Sequence, residues 1–446
     1  MQELPAPRLD ALARKFLAEH RLPGLIYGIV DGAELARWSA HGHADPITGR
    51  TADERTLYRI ASITKTFTAT AIMQLRDRGL VKLDDPATLF IPELRRASSR
   101  AGRIEDLTLK RMLTHESGLV GEPPTMDLVT ESFPELKEIL DTADRIELVI
   151  PPERAHKYSN LAFALLGEIV ERVSGISFRD WIRDEITAPL GMPDTTFEPD
   201  DEQRARSARG YNARTFSDDL TEATDRLKYT DGDGGLYSTV ADLARWVAFQ
   251  MDRSESAVLS PSTRAEMHRA RILTDETWTE AQGLAWYASR HRDHVFIGHA
   301  GLINGFSSRV AFSVPECLSV IVLINGVGPA SEIALAIADA ALDLRPPPPK
   351  SLPPSSAPPG ELKELLGLYL MRDFGESARI EWRGSELVLI FESEPEKVRT
   401  LAATGELGVF EIAGYREAGE RLVVVRREDG SPAGITIAGY PYDRLA

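Results

Sequence analysis

The stretch RIASITKTFTATAIMQL, residues 59–75, places a serine and a lysine three positions apart at the start of an apolar run with helical periodicity. On a helix, residues i and i+3 share a face, so the Ser62 hydroxyl and the Lys65 ammonium would lie side by side. A partly buried lysine can lose its proton and activate a neighbouring hydroxyl as a nucleophile. Of the ten lysines, only Lys65 has a serine three residues before it. By itself, however, the stretch favours an ordinary helix start, capped by the serine and with the lysine in solvent.

A second motif, Tyr158-Ser159-Asn160, lies in HKYSNLAFALLGEIVE, directly before another predicted helix, and is the only Tyr-x-Asn in the chain. A tyrosine phenol whose pKa is lowered by a cation can act as a base for serine, and the asparagine amide can hold a substrate carbonyl. The alternative is a helix N-cap formed by Ser159 or Asn160, beside a tyrosine that is simply packed.

A third motif, His299-Ala300-Gly301, lies in IGHAGLINGFSS at the end of a predicted strand. Here a histidine can face a cleft, while the glycine lets a substrate carbonyl approach the backbone. The N–H of Leu302 could then join the N–H of Ser62 as an oxyanion donor. The alternative is a strand-end histidine before a glycine turn.

The order Ser-x-x-Lys, Tyr-x-Asn, His-x-Gly resembles the serine β-lactamase and penicillin-binding-protein superfamily. It is most similar to the class C branch with its D-alanyl-D-alanine carboxypeptidase, D-aminopeptidase, CubicO-type peptidase and esterase relatives. The resemblance covers roughly residues 8–345. Other blocks similar to this branch are LTHESGL (113–119), APLGMPDTTF (188–197) and GDGGLYSTVADLARW (232–246).

The resemblance implies a role for each motif residue. Ser62 is implied as the acylated nucleophile, Lys65 and Tyr158 as the groups that share proton transfer. Asn160 is implied to orient the acyl group. His299 stands where β-lactamases carry the lysine of Lys-Thr-Gly, a fixed cation suited to a substrate carboxylate. Because histidine is mostly neutral near pH 7, this departure favours the peptidase or esterase relatives over the β-lactamases.

The pattern of elements predicts a mixed α/β fold in two parts. Strands from both ends of residues 1–345 predict a β-lactamase-like antiparallel sheet flanked by helices, with an all-α region. Residues 346–360, rich in proline, predict a semi-rigid linker. Residues 361–446 contain six or more short alternating segments after the helix-like ELKELLGLYL, which predicts a small β-barrel. This part resembles lipocalin-like C-terminal domains of related peptidases, where such a domain can shape the cleft or drive oligomerisation.

Composition excludes several classes of partner. The net charge of −16 argues against a nucleic-acid groove and against binding to anionic lipid. No apolar run is long enough to span a membrane, and the N-terminus is typical of an amphipathic helix, so the cytoplasm is the expected location. The lone cysteine, Cys317, is expected to be buried in a strand. No cofactor and no metal are predicted, since HGHAD (41–45) lacks an obvious third ligand.

These features predict a metal-independent serine hydrolase that forms an acyl-enzyme through Ser62. The preferred function is a peptidase or amidase on small peptides, with D-residue peptides among the candidates. A carboxylesterase and then a β-lactamase are the alternatives, and a non-catalytic binding protein of the same fold is the last. The expected partners are a small peptide, amide or ester substrate and further copies of the chain, associated through the C-terminal domain.

Overall fold

The computed structural model describes residues 6–124, 134–213, 220–223, 231–252, 254–342, 360–372, 374–383 and 386–445. Two folded parts contain most of these residues. We call residues 6–342 the N-terminal unit and residues 360–445 the barrel. Nearly all of the predicted linker, residues 346–359, lies outside the described residues.

The N-terminal unit is built on an eight-stranded antiparallel sheet. Gly28 of an early strand lies opposite Ile321 of the last one, so both ends of the unit meet in the sheet, as the sequence predicted. The LSVIVLI strand is buried along its whole length because helices cover both faces of the sheet. In spatial order the strands are Glu34–Gly42, Gly24–Asp31, Leu318–Ile324, Phe306–Ser313, His294–Ile303, Tyr287–His291, Glu280–Gln282 and Ile272–Leu273.

Helices complete the unit on both sides of the sheet. Ala6–His20 and Ala330–Ala341 pack together on one face. On the other side, Val240–Met251 contacts the sheet, and the all-α region holds Thr64–Asp77 against Asn160–Ser174. The shorter helices are Leu109–Leu113, Leu136–Asp141, Phe178–Ile182, Asp201–Arg206, Asp231–Gly234 and Pro261–His268, with a π-helical turn at Arg183–Thr187.

The helix Thr64–Asp77 is buried over its first twelve residues, although four of them are threonines. Their burial is tolerated because three of the hydroxyls donate to backbone carbonyls, while that of Thr64 accepts a hydrogen bond from Leu236 N. Thr66 Oγ1 lies 2.7 Å from Ile63 O, and Thr70 Oγ1 lies 2.9 Å from Thr66 O. The side chains of this helix are therefore held by contacts on every face, which fixes the position of its N-terminal turn.

The barrel is a closed, eight-stranded antiparallel structure with an apolar packed interior. The β-barrel prediction is thus confirmed, but the helix-like segment ELKELLGLYL is only a short 3-10 helix, Gly360–Leu365, followed by a strand. The strands are Gly367–Met371, Glu376–Arg383, Glu386–Phe391, Val398–Ala403, Val409–Ala413, Arg421–Arg426, Pro432–Ile437 and Tyr440–Arg444.

Cys317 is not buried, and the expectation from the sequence is wrong. The residue is exposed and adopts a left-handed φ of 52° in the turn between two sheet strands. The buried strand begins one residue later, at Leu318, so the cysteine belongs to the turn that enters it.

Within the ranges that the structure describes, no helix has the length and apolar character required to cross a bilayer.

Candidate active site

The Ser62 turn, Ala61–Ile63, is a 3-10 turn that runs directly into the helix Thr64–Asp77. Ala61 adopts φ +48°, a conformation that non-glycine residues rarely take and that is common at functional sites. One turn later, the Lys65 side chain is fully buried and its Nζ donates to Ser62 Oγ at 3.0 Å. The same Nζ donates to the carbonyl oxygen of Asp233 at 2.6 Å, in the short helix formed by the DGDG segment. The Lys65 amino group is thus held between the serine hydroxyl and the Asp233 carbonyl.

Tyr158 is brought to the same place by the start of the helix Asn160–Ser174. Lys65 Nζ lies 5.1 Å from the centroid of the Tyr158 ring. Ser159 caps the helix, accepting a hydrogen bond from Ala162 N at 3.0 Å. The two interpretations of the Tyr-x-Asn motif are therefore compatible, because Ser159 caps the helix while Tyr158 faces the lysine.

His115, from the block LTHESGL, supports Tyr158 from behind. Its ring stacks on the Tyr158 ring with centroids 4.2 Å apart, and its Nδ1 accepts a hydrogen bond from Ser159 N at 3.1 Å. Burial, aided by the nearby positive charges, holds the pKa of His115 well below its usual value. A neutral imidazole that accepts at Nδ1 carries its proton on Nε2, so the tautomer is set by the backbone.

Asn160 reaches Glu122 rather than a substrate. Its Nδ2 donates to Glu122 Oε1 at 2.5 Å, and its Oδ1 has no hydrogen-bond partner among the described residues. Burial raises the pKa of Glu122, while the charge of Arg416 opposes that rise. In this structure a carboxylate therefore lies on the amide that is predicted to orient the acyl group.

His299 lies on the other side of Tyr158, with ring centroids 6.5 Å apart. Burial first, and the charge of Lys65 second, lower the pKa of His299 to about 3, so the imidazole is neutral at pH 7. Its Nδ1 donates to Ala300 O at 2.6 Å, and its Nε2 has no partner within the described part of the chain. The His-x-Gly motif thus supplies no fixed positive charge.

Gly301 lets its strand lie directly on the Ser62 turn. A Cβ at this position would be 2.2 Å from Ile60 O and 2.3 Å from Ser308 Oγ. The glycine is required by this contact between protein segments, in addition to any approach of a substrate. Leu302 follows it in the same strand, opposite Ser307, with its side chain 45% exposed. All seven residues predicted for the site therefore lie on three neighbouring segments.

The barrel contributes to the same region through residues 414–420, which we call the barrel turn. Glu420 Oε1 accepts from the fully buried Lys157 Nζ at 2.7 Å and from Gly121 N at 2.8 Å. Although burial opposes the charge of Glu420, the Lys157 ammonium lowers its pKa below the usual value. Lys157 precedes Tyr158 and Gly121 precedes Glu122, so one barrel carboxylate fixes both segments.

Arg416 of the barrel turn lies over the site itself. Its guanidinium carbon is 5.1 Å from the centroid of the Tyr158 ring, and an N–H group is 3.7 Å from Glu122 Oε1. Desolvation opposes its charge, but Glu417, Tyr440 and Glu122 together raise the pKa of Arg416 above its usual value. The guanidinium therefore stays charged at the edge of the site.

The sequence did not point to Glu122, Lys157, Arg416 or Glu420 as site residues. A lysine directly before the motif tyrosine, in an apolar context, was the one local signal. His115 adopts a left-handed φ of 56°, and its contact with Tyr158 had no sequence signal.

Comparison with known families decides the relationship. A family model described as Beta-lactamase matches residues 9–344. The chain belongs to the beta-lactamase family. This family is one of serine hydrolases.

Protein flp of Staphylococcus aureus (strain MW2) is 26% identical over 322 residues, which is 71% of this chain and 62% of flp. The chain thus spans about six-tenths of the length of this curated relative.

Solved structures show the same fold. The octameric penicillin-binding protein homologue from Pyrococcus abyssi is similar over 98% of this chain and 99% of its own, with a TM-score of 0.68 and 22% identity. D-alanine carboxypeptidase AmpC from Burkholderia cenocepacia covers 76% of this chain and 98% of its own, with a TM-score of 0.62 and 21% identity. At these identities the beta-lactamase fold is shared, and the first likeness extends over the barrel as well.

Proposed function

We propose that the protein is a peptidase or amidase that cleaves small peptides, D-residue peptides among them, through an acyl-enzyme on Ser62. The observation that carries the proposal is the 3.0 Å contact between Lys65 Nζ and Ser62 Oγ, made by a lysine that is fully buried. Such a contact gives the hydroxyl a proton partner that water cannot displace. The beta-lactamase family is one of serine hydrolases, and the Burkholderia neighbour is described as a D-alanine carboxypeptidase.

In the proposed mechanism, the Lys65–Tyr158 pair starts one proton short of its fully protonated form. Ser62 Oγ attacks the substrate carbonyl carbon, and the serine proton passes to this pair. The negative oxygen that develops is held by the N–H groups of Ser62 and Leu302. The same proton is delivered to the departing amine, and the acyl-enzyme forms. Water then attacks the ester, with the pair accepting its proton, and the acid is released.

The neutral His299 supports a peptidase or esterase over a β-lactamase. A fixed cation at this position would favour a substrate carboxylate there, whereas an imidazole with a pKa of about 3 carries no charge at working pH. The proposal includes a cytoplasmic location, where small or recycled peptides rather than assembled cell wall are available, and cell fractionation tests it.

The test is a substrate panel on the full chain and on Ser62→Ala. We expect a fluorophosphonate to label Ser62, and either D-alanyl or L-alanyl p-nitroanilide to be hydrolysed. Both the labelling and the hydrolysis should be lost in Ser62→Ala. Unchanged turnover in that variant contradicts the mechanism. Hydrolysis of p-nitrophenyl acetate alone favours a carboxylesterase, and turnover of nitrocefin favours a β-lactamase. Lack of hydrolysis of every substrate in the panel favours the non-catalytic binding protein.

We also propose that the chain self-associates through the barrel. The Pyrococcus neighbour is described as octameric, and Leu407, Val423 and Val425 of the barrel are exposed apolar residues. Light scattering should give a mass above the 49.2 kDa of one chain. A monomer at micromolar concentration contradicts this part of the proposal.

A further inference from the structure

Among the residues that the structure describes, the basic side chains of the N-terminal unit at this site offer no exposed, unpaired positive charge. His299 is neutral, and Lys65 donates to Ser62 and to the Asp233 carbonyl. Lys157 is paired with Glu420 and has no exposed surface, and Arg309, near His299, is also buried. A substrate with a negative group would therefore find no exposed positive partner among these four side chains.

Arg416 supplies such a charge from the barrel. Its side chain is 50% exposed, whereas Tyr158, Asn160 and His299 beneath it are buried. It lies over the Tyr158 ring, so its guanidinium borders the space that a substrate bound at Ser62 would occupy. The barrel turn is shaped to present it, because Gly414 takes a left-handed φ of 102° at the start of the 3-10 turn Tyr415–Glu417.

The donors of Arg416 are available. Among the described residues its one ion pair is with Glu122 at 3.7 Å, and no hydrogen bond from its guanidinium is found there. Arg399, in the same barrel, shows the contrast. Its guanidinium donates to Glu417, Glu394 and the Lys397 carbonyl at 2.6 to 2.8 Å, and its side chain is almost completely buried. Arg399 is therefore structural, whereas the N–H donors of the planar Arg416 guanidinium remain available to a ligand.

The side chain of Glu122 shows that a carboxylate fits between Arg416 and Asn160. Its carboxylate accepts from Asn160 Nδ2 and faces the guanidinium. A cavity of about 230 Å³ lies beside it, lined by Glu122 and Pro123 on one side and Ala438 and Gly439 on the other. A competing carboxylate could therefore take its position while Glu122 moves into the cavity.

We propose that Arg416 binds a carboxylate on the acyl side of the substrate, so that the enzyme prefers acidic acyl groups next to the scissile carbonyl. The inference rests on the proposed function for the identity of the acyl side. Arg416 is a specificity residue contributed by the barrel, and it takes the role that His299 cannot fill.

The test measures binding without turnover. In the Ser62→Ala protein, calorimetry compares N-succinyl-D-alanine p-nitroanilide, which carries an acyl-side carboxylate, with the neutral N-acetyl analogue. We expect the succinyl compound to bind about tenfold more tightly, as one partly exposed charge-assisted contact allows. Arg416→Gln should remove that preference, Arg416→Lys should keep part of it, and the acetyl compound should change less than about threefold, within the range of a lost uncharged contact.

Arg421→Gln is the matched control, because Arg421 is an equally exposed barrel arginine at 51% whose ion pair is with Glu406. It should leave both dissociation constants unchanged. Equal binding of the two compounds, or an equal loss for both in Arg416→Gln, overturns the inference. Failure of the proposed function shows separately, as lack of p-nitroaniline release by the wild-type enzyme. In an enzyme that does release it, the preference should lie in KM rather than in kcat.

Discussion

The N-terminal unit and the barrel contribute to one site in different ways. The N-terminal unit supplies the groups proposed to react: Lys65, Tyr158 and His299 are all buried, and the Tyr158 ring centroid lies 5.1 Å from Lys65 Nζ and 6.5 Å from the His299 ring centroid. The barrel supplies charge from a single turn, with Glu420 fixing the segment before Tyr158 and Arg416 facing the cleft. The proposed reacting groups therefore come from one part of the chain, and charges that hold and border them come from the other.

The largest expected effect separates chemistry from folding. Lys65→Met replaces a buried amino group with an apolar side chain of similar length, so kcat should fall about a thousandfold, as general acid–base catalysis implies. The Tm of Lys65→Met should not be lower than that of the wild-type protein. Steady-state kinetics and calorimetry check both, with the exposed Lys137→Met as the control. More than a tenth of wild-type activity would show that Lys65 is only structural.

A smaller effect is expected on stability from the barrel side. Glu420→Gln leaves the Lys157 ammonium buried without its counterion, which should cost about 3 kcal/mol in free energy of unfolding. Asp141→Asn removes the exposed Lys137–Asp141 pair and should cost less than about 0.5 kcal/mol. Urea unfolding followed by tryptophan fluorescence measures both. If the two variants lose equal stability, the barrel does not hold the Tyr158 segment.

The contact between the last strand of the site and the Ser62 turn can be tested next. Gly301→Ala places a Cβ against Ile60 O, so the turn must shift, and kcat/KM should fall about a hundredfold. Gly49→Ala is the comparison for kcat/KM, because nothing lies within 4 Å of that position. Its left-handed φ of 73° strains an alanine and lowers stability, but kcat/KM should change less than about twofold because the Ser62 turn is not displaced. A fall in stability with unchanged kcat/KM in Gly301→Ala would refute the positional argument.

The smallest effect concerns pH. Burial lowers the pKa of both His156 and His299 to about 3, below the value near 6.5 of an unfolded chain. Their neutral forms therefore stabilise the fold fully above about pH 6.5, and this stability is lost as the pH falls toward 3. At pH 5 each should account for about 2 kcal/mol of the loss.

Replacing either histidine by glutamine should reduce the difference in unfolding free energy between pH 7.5 and pH 5 by that amount. Urea midpoints at the two pH values provide the measurement. An unchanged difference in His299→Gln would mean that the imidazole is already protonated in the folded protein.

The proximity of Lys65 to Ser62 could be predicted from the sequence because its signal is local. Ser62 and Lys65 are three residues apart, and helical geometry alone brings them together. The alternating segments of the barrel likewise predicted strands, but ELKELL contains strong helix formers, and the following GLYL strand was assigned to a helix with them. Cys317 was misplaced by one residue at a strand boundary, where patterns are least informative.

The resemblance indicated that the barrel can shape the cleft, but which barrel residues reach the site could not be predicted from the sequence. Lys157 and Glu420 are 263 positions apart, and no periodicity links them. Their pairing depends on how two separately folded parts dock, which a pattern of polar and apolar residues does not encode. The same limit applied to Arg416, which looks like an ordinary turn arginine until Tyr158 is found beneath it.

The Lys157–Glu420 pair has a consequence for the order of events during synthesis. At translation rates of 5 to 20 residues per second, Glu420 leaves the ribosome roughly 10 to 50 s after Lys157. In that interval the nascent N-terminal part carries an ammonium with no counterion beside its tyrosine. The site is completed only when nearly the whole chain has been made, so a prematurely terminated product would not be released as a competent enzyme.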